Sequence, residues 1–441
     1  MPASLQTCPE DVVESIVQRL SLDDICNLRL TCKPLAASAS HHSFRTYFET
    51  KHAILVPDTL QSFVQGLQAQ DLRSLVQNLH LVAIVNEPPL DNPTLNQDPE
   101  TERLLLRQAF LELARHAKDG VLTSLTLRLD LDYDLDNRRS VRSFNKVKPP
   151  TRFESQLLNL HPRRVLPTNT SLWRCAISTF DMVMQELATT RLKIKKLDMT
   201  YSWDPEEHSL YGRHLDAFDW SGPGLAQSLS TLESLSVRIS TRRFPYHNEA
   251  EMPVPERTNG PSRYPGISDM IQLCPQLKSL NVHCVSLHSI TRTRFNPRTE
   301  RILQCLNELE TLPRLKRFAF HHACTKAEDL MNFIQRTKVR ELSMQCIGLT
   351  KGSWKPIFEY LTSQEAAMTK LSLNRLLESR REVGVVHFGQ ENPEDWVAHP
   401  NIKLELRGDA LRHPIAYLVA IGPHISSLTP WQLKEPSNSL E

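Results

Sequence analysis

The sequence predicts an α/β chain in two parts: a small N-terminal unit of three helices, then an irregular solenoid in which strands and helices alternate. Three observations carry that expectation. Residues 7–35 hold apolar side chains at helical spacing, interrupted at two sharp breaks. From residue 76 onward one short apolar pattern keeps recurring. Between its copies lie amphipathic segments of helical period.

In the N-terminal stretch, Thr7 and Glu10 have the spacing of a capping box, and Pro9 falls in the first helical turn, where a missing N–H is harmless. Val12, Val13, Ile16, Val17 and Leu20 then share one apolar helix face. Ser21 and Asp24 can cap a second helix carrying Leu22, Ile25, Leu28 and Leu30. Cys32-Lys33-Pro34-Leu35 breaks it and opens a third, which is expected to end around Ser43–Phe48. Three short helices bury little core of their own. Part of this apolar surface is therefore expected to meet a partner. The boundaries expected are 1–50 for this unit and 51–441 for the solenoid.

The stretch resembles the F-box, whose family form runs Leu-Pro-x-Glu-(Leu/Ile)-(Leu/Ile)-x-x-Ile-(Leu/Phe)-x-x-Leu, then x-x-x-(Asp)-Leu, then Arg-x-Val-Cys-Lys. Pro9, Asp11, Val12, Val13, Ile16, Val17 and Leu20 match, as do Asp24, Ile25, Leu28, Arg29, Cys32 and Lys33. Cys8, Thr31 and Pro34-Leu35 depart from it. The resemblance implies a substrate-recognition adaptor of an SCF-type cullin–RING ubiquitin ligase. Such a chain binds a Skp-family linker and, through it, a cullin. On that resemblance Pro9, Val12, Val13, Ile16, Val17, Leu20, Ile25 and Leu28 belong to the three-helix unit and its linker interface. Which of them face the linker and which the unit's own core stays open.

The recurring pattern is apolar-x-x-(Leu/Phe)-x-apolar. It occupies 76–81, 122–127, 194–199, 232–237, 277–282, 315–320, 339–344 and 368–373, with a degenerate ninth copy, Ile402–Leu406. Helices are expected at Thr59–Gln68, Glu102–Ala117, Ser171–Leu187 and Ser353–Leu361. Asn296-Pro297 is read as opening a helix bearing Ile302, Leu303, Leu306 and Leu309. Thr325 and Glu328 are read as a capping box before Leu330, Met331, Phe333 and Ile334. The hexamer resembles the leucine-rich repeat motif Leu-x-x-Leu-x-Leu, in divergent form. A doubly wound parallel sheet is the other topology open to such a pattern. It buries its strands on both faces, whereas these are short and alternate apolar with polar. An N-terminal F-box followed by divergent leucine-rich repeats looks like a large fungal set of proteins.

Loop insertions are expected at about 86–100, 137–167, 241–266 and 378–400, each leaving directly after a strand. In a solenoid that gathers them on one rim. In the motif the apolar positions enter the core and the x positions line the concave face. The candidate substrate contacts are therefore Arg128, Asp198, Arg238, Asn281, His283, His321, Gln345 and Asn374. Leu125 to Asp136 alternates strictly and puts Asp130, Asp132, Asp134 and Asp136 on one strand face. Their spacing resembles a calcium loop, but Leu135 stands where Gly is needed and Val141 where a bidentate Glu should be. The basic run that follows, Arg138 to Arg164, is read as a partner for this acidic row or as a contact for an acidic or phosphorylated ligand.

Composition narrows the function classes. The net charge is +2 over 441 residues, which gives no global pull toward nucleic acid or membrane. Only 13 glycines argue against phosphate-cradling loops; 29 prolines suit loops between repeated units. Nine scattered cysteines with no Cys-x-x-Cys read as reduced thiols of a cytoplasmic or nuclear protein. No signal peptide or membrane-length apolar run is visible. No hydrolase, metalloprotease, nucleotide-loop or zinc spacing occurs, so no catalytic residue, metal ligand or cofactor is expected. The adjacent pairs His41-His42 and His321-His322 are expected to point apart, as neighbours in a helix or strand do.

Overall fold

A computed structural model describes residues 8–20, 22–39, 48–68, 75–85, 99–131, 169–201, 210–240, 265–285, 299–379, 383–389 and 402–420. By contact the chain divides into two units, Met1–Cys175 with Met182–Lys195, and Ala176–Asp181 with Lys196–Glu441.

The first unit opens with α1 (Glu10–Val17), α2 (Leu22–Thr31) and α3 (Lys33–Ser38). α1 begins directly after Pro9. The N-cap is Pro9, whose ring has nothing to donate or accept; its carbonyl takes the N–H groups of Val12 and Val13 at 3.1 and 3.2 Å. Thr7 lies outside the described residues. Glu10 and Asp11 instead favour this end by placing negative charge in the first turn. The helix also stops short of Leu20, which is held by a tighter N–H bond to Val17. Cys32 breaks the chain as expected: it is extended, and Pro34 sits in the first turn of α3.

β1 (Thr50–Ile54), α4 (Pro57–Gln68), β2 (Asn78–Val85), α5 (Pro99–His116), β3 (Ser124–Leu131) and α6 (Asn169–Thr190) follow. β1, β2 and β3 pair in parallel, in that order. The sequence pattern missed β1, which carries no hexamer. In β2 and β3 the hexamer leucines Leu79, Leu81, Leu125 and Leu127 are fully buried, each stabilising the fold by roughly 1.5–3 kcal/mol. The strands start two residues inside each hexamer. Its first apolar residue, Leu122 or Ile194, lies in a separate two-residue ladder, Val121–Leu122 beside Lys193–Ile194.

The second unit contains β4 (Lys196–Tyr201), α7 (Gly212–Ala217), α8 (Pro223–Leu229), β5 (Ser234–Ser240), α9 (Pro265–Gln272), β6 (Ser279–Val285) and α10 (Glu300–Glu308). It continues with β7 (Arg317–His321), β8 (Cys324–Lys326), α11 (Ala327–Thr337), β9 (Glu341–Gln345), β10 (Gly348–Lys351) and α12 (Trp354–Thr362). It closes with β11 (Lys370–Asn374), β12 (Leu377–Ser379), β13 (Val383–Phe388), β14 (Lys403–Arg407) and β15 (Tyr417–Ala420). β4, β5, β6, β7, β9 and β11 pair in parallel, each with the next in chain order. β14, the degenerate ninth copy, runs antiparallel to β11.

One backbone device repeats along this sheet. The carbonyls of Glu233, Lys278, Lys316 and Arg340 each accept two N–H groups from the start of the next strand, at 2.7 to 3.2 Å. The matching device at the other strand end is a residue in the left-handed region: His322, Cys346 and Arg375, with φ of 56°, 53° and 52°. Their N–H groups bond forward to the carbonyls of Gln345, Asn374 and Ile402. The sharp turns start a second sheet in which β8, β10 and β12 run parallel, followed by antiparallel β13 and β15.

That second sheet corrects one expectation: residues 378–400 are not simply a loop, because β12 and β13 fall within them. Glu378, fully buried, accepts the N–H of Trp354 at 3.1 Å and so ties β12 to the start of α12. The other insertions fall mostly outside the described residues. The Thr325–Glu328 capping box is also replaced. Thr325 is a buried residue of β8, and Lys326 is the N-cap of α11 with no side-chain capping bond, its ammonium pairing with Glu300 instead. α10 begins at Thr299–Glu300, and the buried Thr299 hydroxyl accepts the Cys324 N–H at 2.7 Å.

Candidate functional site

The three N-terminal helices close on a core of Val13, Val17, Ile25, Leu35 and Ala39, none more than 6% exposed. Leu20 and Leu28 are half-buried and pack against that core, as do Cys8, Cys26, Cys32 and Phe48. Ile16 is half-buried, Pro9 is exposed and Val12 is 42% exposed. Val12 and Ile16 stand one helical turn apart on the same face of α1. Leu30, expected on the apolar face of α2, is instead 84% exposed; it stands five residues past Ile25, off the face that Ile25 and Leu28 share.

In the second unit, strand register lines up polar side chains. Arg238, His283, His321, Gln345 and Asn374 are consecutive partners across β5, β6, β7, β9 and β11. Their chain neighbours Val237, Val282, Phe320, Met344 and Leu373 are buried on the opposite face. One row upstream, Asp198 stands opposite Ser236 and Ser236 opposite Asn281, whose amide donates to the Ser236 hydroxyl at 3.1 Å. The row is less open than the alternating pattern predicts. Arg238 is 8% exposed and Ser240 is fully buried.

His283 is the centre of this row. Its ring stacks on that of His321 at 5.6 Å and on that of His322 at 4.9 Å, both within 17° of parallel. The expectation that His321 and His322 point apart therefore fails. His322 has left the strand for the left-handed turn, and that twist brings its ring back over the same face. Burial pushes His283 down to about 3, with His322, Arg238 and His321 adding to the effect. Burial likewise holds His322 at about 4, with His321, Arg375 and Arg238 adding to it. His321 is lowered by burial and partly restored by its hydrogen bond to Gln345. The three imidazoles are neutral at pH 7.

Arg128, the remaining candidate, belongs to the first unit. It is half-buried on β3, opposite Val82. It lies close enough to His52 to lower that imidazole, after burial and ahead of Lys51. His52 and His80 stack at 4.5 Å across β1 and β2. The hexamer search missed His52 because β1 lacks the motif, and missed Arg375 because it lies one residue past its strand. Side chains from Asp130 to Arg164 lie outside the described residues, so the acidic row and the basic run do too. Among the described residues no three His, Cys, Asp or Glu side chains gather as a metal site. No described helix is long and apolar enough to cross a membrane.

Among known families, the model of the F-box domain matches residues 5–47. The chain carries an F-box domain. No curated protein matches the chain. F-box domains generally bind Skp-family proteins, and their presence suggests an SCF-type ubiquitin ligase adaptor in general.

Within this F-box the structure sorts the eight residues that the sequence left together. Val13, Val17 and Ile25 are the domain's own core. Leu20 and Leu28 lean on it from the side. Pro9, Val12 and Ile16 are absent from the core and its packing shell. An apolar stripe that its own domain does not need is what a partner helix or groove can cover.

Proposed function

We propose that the chain is the substrate-recognition subunit of an SCF-type cullin–RING ubiquitin ligase. The F-box binds the Skp-family linker through the Pro9–Val12–Ile16 stripe, and the linker joins it to a cullin. Residues 51–441 form divergent leucine-rich repeats that hold a protein substrate on their polar strand face. The observation that carries this reading is the stripe itself: an F-box whose core closes without Val12 and Ile16 keeps them for a partner. Strand order that follows chain order, with leucines inward and polar residues outward, supports the repeat reading.

The chain contributes no reacting group of its own in this role. It supplies proximity, holding substrate lysines at high effective concentration near a ubiquitin-charged enzyme. The setting is cytoplasmic or nuclear, and neither nucleic acid nor membrane is a partner. The test is capture of recombinant Skp-family linker by the full chain, beside Val12→Asp/Ile16→Asp. Capture by the wild type and loss in the folded variant is the expected result. No capture by folded wild type would leave a repeat scaffold for protein–protein interaction outside a ligase.

A further inference from the structure

The second unit carries a further charged surface, away from its polar strand face. We infer that the end of its parallel sheet at which the strands begin is a docking surface for an acidic protein segment, one rich in Asp and Glu. The inference goes beyond the adaptor reading and does not depend on it.

Three observations carry it. First, the backbone lines the cations up. Lys278, Lys316 and Arg340 stand just ahead of β6, β7 and β9, and each is bonded to the next. The Lys278 carbonyl accepts the Lys316 N–H at 2.7 Å, and the Lys316 carbonyl accepts the Arg340 N–H at 3.1 Å. The Arg340 carbonyl in turn accepts the N–H of Lys370 at 3.2 Å. The Leu315 N–H bonds to the Thr337 carbonyl at 3.1 Å, which brings the chain at Lys338 beside the chain at Lys316. Neighbouring strands lie about 4.8 Å apart, so positive charge recurs at nearly every strand step. Second, this charge is left over. The two carboxylates of the ladder are already engaged, Glu233 by Lys278 at 2.8 Å and Glu341 by Arg317 at 3.1 Å. Lys316, Lys338 and Arg340 are exposed and Lys370 is half-buried, and none of the four forms an ion pair among the described residues. Exposed cations this close together raise the local concentration of an acidic partner. Third, the lining suits protein better than nucleic acid. The ladder reads Glu-Ser, Lys-Ser, Lys-Arg, Arg-Glu and Thr-Lys from β5 to β11, with no aromatic ring for a base to stack on. Glu233 and Glu341 would repel a backbone charged at every step, whereas a polypeptide can set a neutral or basic residue against each.

The test is fluorescence anisotropy on the full chain at pH 7, without linker, so its failure leaves the ligase reading untouched. The probes are a labelled peptide of alternating Glu and Ser, the same peptide with Gln for Glu, and a labelled oligothymidylate of equal length. The expected result is saturable binding of the Glu peptide that weakens as salt is raised, with the Gln peptide at least tenfold weaker. Lys316→Gln/Arg340→Gln should weaken binding of the Glu peptide at least tenfold. Lys355→Gln/Arg412→Gln removes the same charge elsewhere in the unit and should leave it within twofold of the wild type. All four side chains are exposed, so both variants keep the fold. No saturable binding of the Glu peptide, equal binding of the Gln peptide, or equal loss in the two variants would overturn the proposal. Oligothymidylate bound as tightly as the Glu peptide would make the surface one for nucleic acid, and would overturn it too.

Discussion

Arg107 holds Glu186 with two hydrogen bonds, Nε to Oε2 at 2.7 Å and Nη2 to Oε1 at 3.0 Å. Arg103 adds a third, Nε to Oε1 at 2.7 Å. The Glu186 side chain is fully buried, while each arginine is about one third exposed. The pair is thus asymmetric. Removing the acid lets both guanidiniums turn to water; removing the arginines strands a buried carboxylate. Arg103→Ala/Arg107→Ala should therefore cost about 3–5 kcal/mol in urea unfolding, against about 1–2 kcal/mol for Glu186→Gln.

The F-box residues should separate by readout. Val17→Asp puts a charge into the closed core and should abolish both linker capture and amide protection across residues 8–39. Val12→Asp should lower linker capture at least tenfold with protection unchanged. Hydrogen exchange by mass spectrometry reads both. Equal loss of protection in the two variants would remove Val12 from the interface.

Acid should destabilise the second unit before its carboxylates titrate. His283 and His322 are lowered to about 3 and about 4 from an ordinary value of 6.5. Above pH 6.5 both folded and unfolded chains hold them neutral, and the stability is fully present. As pH falls below 6.5 the unfolded chain takes up protons that the folded chain refuses. Stability then falls by roughly 1.4 kcal/mol per pH unit for each imidazole. Urea midpoints at pH 7.5, 6.5 and 5.5 should show this slope, and His322→Asn should flatten it by about half.

Two glycines should respond oppositely to alanine. A Cβ on Gly266 would stand 2.0 Å from the Leu215 carbonyl oxygen, because α9 meets α7 backbone to backbone there. Gly66 has nothing within 4 Å of its Cβ position and lies inside α4. Gly266→Ala should lower the melting temperature by several degrees. Gly66→Ala should raise stability by about 0.5–1 kcal/mol, since alanine loses less entropy in a helix.

Glu378→Ala should expose how far β12 supports α12. The substitution removes the carboxylate that accepts the Trp354 N–H at the helix start, where negative charge is favourable. A loss of about 1–2 kcal/mol is expected, with faster amide exchange confined to the first turn of α12.

The sequence by itself determined the positions of the F-box helices and of eight parallel strands. Both are written in local periodicity: apolar residues every three to four positions, or a fixed hexamer whose leucines must be buried wherever it occurs. Cys32 and Pro34 set the break before α3 for the same local reason. Tertiary structure alone decided which apolar F-box residues the domain keeps and which it presents. Val12 and Val13 are adjacent and chemically identical, and only packing against Ile25 and Leu35 separates them. It also decided the histidine cluster. His321 and His322 point apart in any strand; register sets the His321 ring beside His283, and the left-handed turn that brings the His322 ring onto it too is held by a hydrogen bond from the His322 N–H to the carbonyl of Gln345, 23 residues later. Glu186 reads as a surface residue of an amphipathic helix until Arg103 and Arg107, far back in the chain, arrive to bury it. Local pattern fixes which elements form; contacts between residues distant in sequence fix what each side chain is for.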